Sequence, residues 1–496
     1  MSTMIPVLER IVATYPIDTM QEGDLYMMND PYLGGTHLPD IGIVMPIFAA
    51  GELVAFSSSM THHQDIGGMA PGSVPTNATS IYQEGLRLPP LKLRTAGVFD
   101  EGLIRLLKLN SRIPETFIGD IHAQISSCAV GAARIRQLSD VYGPKTTMAF
   151  FETLLDRSEA MTREALRRIP PGTYRYVDYN DNDGLDLDQR IRIEGAVTPD
   201  GGNFHCDFTG TNAQVRGPFN VVRSGTQAAA YFVVRAICGD EIPTNGGCFR
   251  PVSISIPPGS ILDPVEPAPV NARSATIKRV TGAMLGALRE VLPDVIGADA
   301  AGEMLALMFG GSHRNGKPYV VGELVAGGSG AGPQSDGVDV IETDATNCMN
   351  LPVEALEQDA PIRMHQCALR SDSGGPGRFR GGLGVVRDYE ILDGEVTFTH
   401  RGERHFVAAR GAFGGQDGAM ARTVIVRADG TTEVVPSKLV TQLRAGDRVI
   451  VETAGGGGFG APRERDADSV TRDVANGKIS KATARDAYGW QGTADG

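Results

Sequence analysis

At Pro170-Pro171-Gly172 the periodicity of the chain changes, and no single class of secondary structure fits both sides. Before it, residues 145–168 (KTTMAFFETLLDRSEAMTREALRR) place apolar side chains at helical spacing, and the two prolines and glycine end that helix. After it, GTYRYVDYN, QRIRIEGAV and GNFHCDFTG alternate with a period of two and are split by Asp and Gly turns. Helical spacing also marks 5–14, 101–139, 224–237 and 276–292, while 41–60 reads as a hairpin with Ala50-Gly51 at its turn. Residues 315–345 read as Gly-rich and irregular, 362–455 as short strands, and 464–489 as a charged helical tail. The expected architecture is α+β and multi-lobed, with a helix-containing first half that carries the hairpin and a β-rich second half. Four regions follow: 1–140, a mixed 141–345, a β-rich 346–462 and the tail 463–496. A chain of 496 residues also exceeds one core at about 100–200 residues per domain. The 62 glycines and 30 prolines suit many turns and Gly-lined loops rather than a helix bundle.

Composition then removes several functions. The net charge is −13, and Lys and Arg are scattered among acids, so no basic stripe for a nucleic acid is present. Aromatic residues are only 6%, too few for a platform that stacks single-stranded bases. No run of about 18 apolar residues occurs, which argues against a membrane span. The six cysteines form no C-x-x-C pair and no signal peptide precedes them, so they read as reduced thiols of a cytoplasmic protein. No G-x-x-x-x-G-K-[ST] and no G-x-S-x-G is present, so neither a P-loop nor an α/β-hydrolase elbow is supported.

The nine histidines carry the strongest chemical signal. His37 and Asp40 form an H-x-x-D in NDPYLGGTHLPD; His62 and Asp65 form another in MTHHQDIGG. Imidazole with carboxylate suits a divalent metal such as Mn, Fe, Co or Zn. The hairpin between the two stretches brings its outer ends together, so His37, Asp40 and either His62 or His63 could form a three-ligand site. An open position on such a site suits hydrolysis, because a metal lowers the pKa of bound water. The acidic run at 178–188 lacks the terminal Glu of an EF-hand loop and reads as a solvated turn. GGGGFG at 455–460 is followed by Pro462 rather than by a helix, and reads as a tight turn. Arg216 (VRGPFN), Arg273 (PVNARSAT) and the arginines of GGPGRFRGG sit in Gly- or Pro-flanked turns where a guanidinium could hold a carboxylate or phosphate.

Taken in order, GDLYMMNDPYLGGTHLPDIGIV, HHQDIGGMAPGS, IYQEGLRLPP, QVRGPFNVVR, IPTNGGCFRP, SDSGGPGRFRGGLGVVRDYE and GGGGFG resemble the hydantoinase B/oxoprolinase family. That family includes the B-type chains of ATP-dependent N-methylhydantoinases and related lactamases, chains of acetone and acetophenone carboxylases, and the C-terminal half of 5-oxoprolinases. The resemblance runs from about residue 5 to the end. It implies a hetero-oligomer in which an A-type ATPase partner holds ATP and phosphorylates a small cyclic amide. This chain would then complete hydrolysis at a divalent metal. The family's metal motif falls on His37, Asp40 and His62. His63 and Asp65 become alternative ligands or neighbours of the ligands, and Asp30 a group to orient His37. Arg216 and Arg273 become candidates for holding substrate. Relatives carry a further segment ahead of the helix at 5–14, with an Asp-bearing strand near the metal, so a misassigned start or a true truncation is expected here. A carboxylase component and a non-catalytic scaffold chain are the alternatives.

Overall fold

The computed structural model describes residues 3–492. It is an α+β protein built on four sheets. The first is antiparallel, with strand order Glu52–His62, Asp40–Ala49, Leu25–Met28, Leu91–Thr95 and Val98–Phe99. The segment DIGIVMPIFA is apolar almost without interruption because both faces of its strand are covered. Ile41, Ile43, Met45 and Ile47 pack on Phe117, Ile121 and Ile125 of the helix Pro114–Tyr142. Val44 faces the other way, onto Val7 and Ile11 of the helix Met4–Thr14. These residues alternate as a strand requires. Gln124 fastens the long helix to the hairpin: its side-chain N–H groups donate to Ile41 O at 2.9 Å and Ser59 O at 3.3 Å. The turn is where the alternation predicts it, with positive φ at Ala50 and Gly51.

The second sheet runs Tyr174–Asn180, Ile191–Asp200, Asn203–Asp207 and Val252–Ser255, and only its last pair is parallel. The helices Arg223–Cys238 and Arg273–Leu288 share its core. The last two sheets are antiparallel and face each other over one core. One has the order Pro318–Ala326, Met304–Ser312, Glu395–Arg401, Lys438–Arg444. The other has the order Ile362–Leu369, Val385–Ile391, Arg448–Glu452, Arg422–Val426, Thr432–Val434. Leu307, Phe309, Val321, Tyr389, Phe398, Ile425 and Val449 fill the space between them. No helix among the described residues is long and apolar enough to cross a membrane. All six cysteines are unpaired.

Several local readings change. The stretch 315–345 is not irregular throughout, since Pro318–Ala326 is a full strand whose Gly322 leaves room for the Met308 side chain opposite. The helical stretch 101–139 is two helices, Glu101–Leu109 and Pro114–Tyr142, and the tail is two short ones, Ala467–Ala475 and Lys481–Tyr488.

GGGGFG is not a tight turn. Only Gly460 of its glycines has a positive φ, and the run is threaded between Gly-rich segments at 327–332, 373–384 and 409–418. Backbone pairs such as Gly456 N to Gly382 O (3.0 Å), Ala331 N to Gly457 O (2.9 Å) and Gly458 N to Gln416 O (2.9 Å) hold it there. A Cβ at Gly455 would lie 1.8 Å from Ser373 O, and one at Gly456 1.9 Å from Ser329 O. These glycines are required by the approach of backbones rather than by turn geometry.

The acidic run is not a solvated turn either. Asp178, Asp181 and Asp183 are buried, and only its far end, from Asp186, is exposed. Arg404 donates to both oxygens of Asp178, at 3.0 and 2.9 Å, and Arg279 adds a third contact at 3.2 Å. The counter-charges come from more than 100 residues away, so no local pattern exposes them.

Gly456→Ala should cost more than about 4 kcal/mol and remove soluble native protein. Gly119→Ala, at an exposed helical position with open space around it, should gain about 0.5–1 kcal/mol in a denaturant titration. Equal behaviour of the two variants would contradict the close packing. Burial pushes the Glu303 carboxyl up to about 8; the Ala454 N–H opposes this and Asp181 adds to it. A raised carboxyl favours the fold below its unfolded pKa of 4.5 and loses that advantage as pH rises through about 8. Between pH 5 and 8 wild-type stability should therefore fall more steeply than that of Glu303→Gln, by up to about 1.4 kcal/mol per pH unit. Parallel melting curves would refute this.

Candidate metal centre

The hairpin register sets the site. Asp40 opens one strand, His62 closes the other, and the two are directly paired. His37 reaches them from the preceding turn, where Asp40 N donates to His37 O at 3.1 Å. That turn follows a short helical bend, Pro31–Leu33, capped by Asp30, whose carboxylate accepts from Tyr32 N at 2.9 Å. Gly34 then takes φ 116°, and a Cβ on Gly35 would lie 2.4 Å from Asn29 O, so only glycines fit. The outcome is a cluster in which one ligand atom each from His37, Asp40 and His62 lies within 4.8 Å of the others. The His37 and His62 rings are 4.9 Å apart between centroids.

Protonation favours ligation. Burial, with Arg273 adding to it and Asp40 opposing it, lowers the His37 imidazole to about 3. His62 keeps part of its surface open, yet burial of the imidazole by the protein around it lowers its pKa too; Asp40 opposes this, while Arg273 and Arg401 add to it. Burial alone would raise Asp40, but His37 and Arg273 outweigh it and hold the carboxyl well below the usual range. Two neutral imidazoles and one carboxylate are the state a divalent metal needs. His37 Nδ1 is 3.0 Å from Asp40 Oδ2 but makes no hydrogen bond, and it is a buried nitrogen without a partner. A buried ring nitrogen this close to a carboxylate oxygen without a hydrogen bond between them fits a donor set for a divalent cation, and two His with one Asp suit Mn, Fe, Co or Zn.

The other Asp40 contacts fix its orientation. Its Oδ2 accepts from Thr36 Oγ1 at 2.6 Å and from Arg273 Nη2 at 2.6 Å. Arg273 begins the helix Arg273–Leu288. The loop before that helix is anchored by Glu84, which accepts from Val270 N at 3.1 Å and Asn271 N at 2.8 Å. Burial raises the Glu84 carboxyl to about 8 against those two N–H groups.

Of the remaining candidates, Asp30 does not orient His37; its second oxygen is held by Arg87 at 2.7 Å. His63 points away from the cluster into the core, with Nε2 3.1 Å from Gln124 Oε1 and its ring edge on Phe117. Asp65 is spent on the backbone of Gly67, Gly72 and Arg112 and on the Arg112 side chain, so it shapes the loop after His63. Arg216 is exposed and borders a cleft of about 250 Å³ with Asp186 and Arg190, apart from the cluster. Sequence reasoning missed Thr36, Glu84 and Arg401. Glu84 lies inside the motif IYQEGLRLPP and so had a signal; Arg401, at a strand end, had none.

Elemental analysis checks the ligand set. His62→Ala and Asp40→Asn should lose near-stoichiometric metal, while His63→Gln should keep it. The opposite pattern for the two histidines would replace His62 by His63.

Known proteins share this fold along nearly the whole chain. The profile of the hydantoinase B/oxoprolinase family matches residues 1–462. A Pseudomonas protein named as the B component of a D-/L-hydantoinase is 34% identical over 490 residues, covering 95% of this chain and 81% of that protein. The crystal structure of an ATP-dependent caprolactamase from Pseudomonas jessenii matches with a TM-score of 0.89 and 29% identity, over 100% of this chain and 87% of that one. Nucleotide-free acetone carboxylase matches with a TM-score of 0.89 over 98% of this chain and 71% of that one; at 19% identity this establishes the fold alone. On the family profile and the identity to the hydantoinase component, the chain belongs to the hydantoinase B/oxoprolinase family.

Proposed function

We propose that this chain is the hydantoinase B-type component of an ATP-dependent cyclic amidase and opens the ring of a small hydantoin-, oxoproline- or lactam-like amide. The observation that carries the reading is the His37, Asp40 and His62 cluster with its imidazoles neutral and its carboxylate ionised. Relatives named as the B component of a hydantoinase and the beta component of a caprolactamase support a partner chain. That partner would be the A-type ATPase, which holds ATP and phosphorylates the amide oxygen. The six unpaired cysteines fit a reducing compartment such as the cytoplasm.

The chemistry divides simply. His37, Asp40 and His62 would hold a divalent metal, which supplies Lewis acidity and makes water a better nucleophile near neutral pH. Thr36 and Arg273 hold the Asp40 carboxylate in one orientation, so a ligand atom stays aimed at the cluster. The lowered imidazoles keep protons off the two ring nitrogens that face it. Glu84 fixes the backbone that carries Arg273. Phosphorylation elsewhere is needed because an amide is a poor electrophile: the O-phosphorylated form accepts one water at carbon and its C–N bond breaks, the ring nitrogen leaving as an amine, and a second water releases phosphate to give the open acid.

The test is co-expression with an A-type ATPase chain, followed by ring-opening assays with hydantoins, 5-oxoproline and caprolactam. Ring opening should require ATP and both chains. Asp40→Asn should lower it about a hundredfold or more, while the complex still assembles. The acetone carboxylase fold gives the rival outcome, a bicarbonate-dependent carboxylation of a ketone with no ring opening. Failure of the purified wild-type complex to retain any metal would leave only a scaffold role.

A further inference from the structure

Among the described residues, the buried arginines and lysines have acidic partners, with one exception. Arg279 and Arg404 pair with Asp178, Arg289 with Asp299, and Arg387 with Glu323. Arg380 pairs with Asp339 and Asp473, and Arg465 with Asp336 and Asp473. Lys278 and Lys438 are held by Glu342 and Glu403. Arg401 is only 7% exposed, and among the described residues no carboxylate lies within 4.0 Å of it. Its hydrogen bonds are two long ones from a single nitrogen, Nη1, to Asn271 O at 3.4 Å and Asn271 Oδ1 at 3.3 Å. A buried guanidinium left without a counter-charge is costly, and a fold that keeps one points to a charge supplied from outside.

The location says what that charge touches. Arg401 ends the strand Glu395–Arg401 and bonds to Asn271, two residues before Arg273. Arg273 in turn grips Asp40 of the metal cluster. Arg401 is near enough to His62 to disfavour its charged form, and near enough to Arg273 that the two guanidinium groups repel. Glu84, whose charge would act on both guanidinium groups, spends its carboxyl on the Val270 and Asn271 backbone instead. Arg273 also keeps a buried Nε without a partner. Two guanidinium groups with unused N–H donors beside a metal cluster form a receptor for a polyoxygen anion.

We propose that Arg401, with Arg273, seats an oxyanion of the activated substrate — a phosphoryl or carboxylate group — at the edge of the His37–Asp40–His62 cluster. The seat rests on the amidase reading for the identity of the substrate, but not for its existence. An anion there would neutralise Arg401, relieve its repulsion with Arg273, and place the reacting end of the molecule against the metal ligands. No bond is made or broken by the arginines.

Calorimetric titration of the full-length chain with inorganic phosphate and with acetate, with and without Mn²⁺, tests this. Wild type should bind at least one of the two anions, and the preferred one identifies the group as phosphoryl or carboxylate. Arg401→Gln should weaken that anion by about ten- to a hundredfold, the loss expected for charge-assisted hydrogen bonds. Arg401→Lys, which keeps the charge but not the fork, should fall between the two. Mn²⁺ affinity, read from the free-ion EPR signal, should change by less than about threefold in both variants, because Arg401 is not a ligand. Absence of binding by either anion to wild type, or equal binding by wild type and Arg401→Gln, would overturn the seat. If Arg401→Gln does not fold, undiminished binding by Arg401→Lys would overturn it equally. Failure of wild type to bind Mn²⁺ would count against the metal reading alone, since the metal-free titrations still decide the role of Arg401.

Discussion

Backbone meets backbone in the last third of this protein with nothing between. Gly382 would place a Cβ 2.1 Å from Val338 O, Gly328 one 1.9 Å from Gly382 O, and Gly457 one 2.1 Å from Arg410 O. Such distances leave no side-chain layer, so cohesion there comes from main-chain hydrogen bonds and dispersion between peptide groups. The same array ties outlying parts together. Gly457 N donates to Asp299 O, and Asp299 N to Arg410 O, so the segment after the second sheet is hydrogen-bonded into it. Asp299 then holds Arg289 at the C-terminal end of the helix Arg273–Leu288. Movement in the array would be felt along the helix that begins with Arg273.

The second organising force is electrostatic. Asp178 joins the second sheet, the helix Arg273–Leu288 and the 399–405 segment through Arg279 and Arg404. Breaking such a buried group by removing one partner leaves an unpaired charge, a loss of about 3–5 kcal/mol. Three residues from Arg404, the paired pattern stops at Arg401. The contrast between a satisfied arginine and an unsatisfied one on the same short segment separates residues that hold the fold from one free to hold a ligand.

Much of the candidate cluster was legible because the residues that meet in it are local. Asp40 and His62 are joined by a single hairpin, and the two strand-like runs IGIVMPIF and LVAFSSSM on either side of Ala50-Gly51 indicate which ends meet. The choice between His62 and His63 was not legible, since adjacent residues on a strand point to opposite faces and only the packing of Phe117 and Gln124 shows which face is core. The acidic run misled because acids of this density are normally solvated, and the arginines that bury it are remote in sequence. GGGGFG misled in another way. Turn glycines and close-contact glycines look the same in a sequence, and only the carbonyls of Ser329, Ser373 and Arg410 distinguish them.

The order of synthesis gives the glycine array a further consequence. Its contacts draw on residues from Ala298 to Gly460, so it cannot close until residue 460 has left the ribosome. The hairpin bearing His37, Asp40 and His62 depends on residues 4 to 135 for most of its core and has its packing partners early. Arg273 arrives later, and Arg401 among the last, by contacts of high sequence separation that form slowly. The nascent protein thus carries the candidate metal cluster long before it carries the arginines beside it. The proposed loading of a cation would thus precede the proposed recognition of an anion, an order set by the topology of the chain.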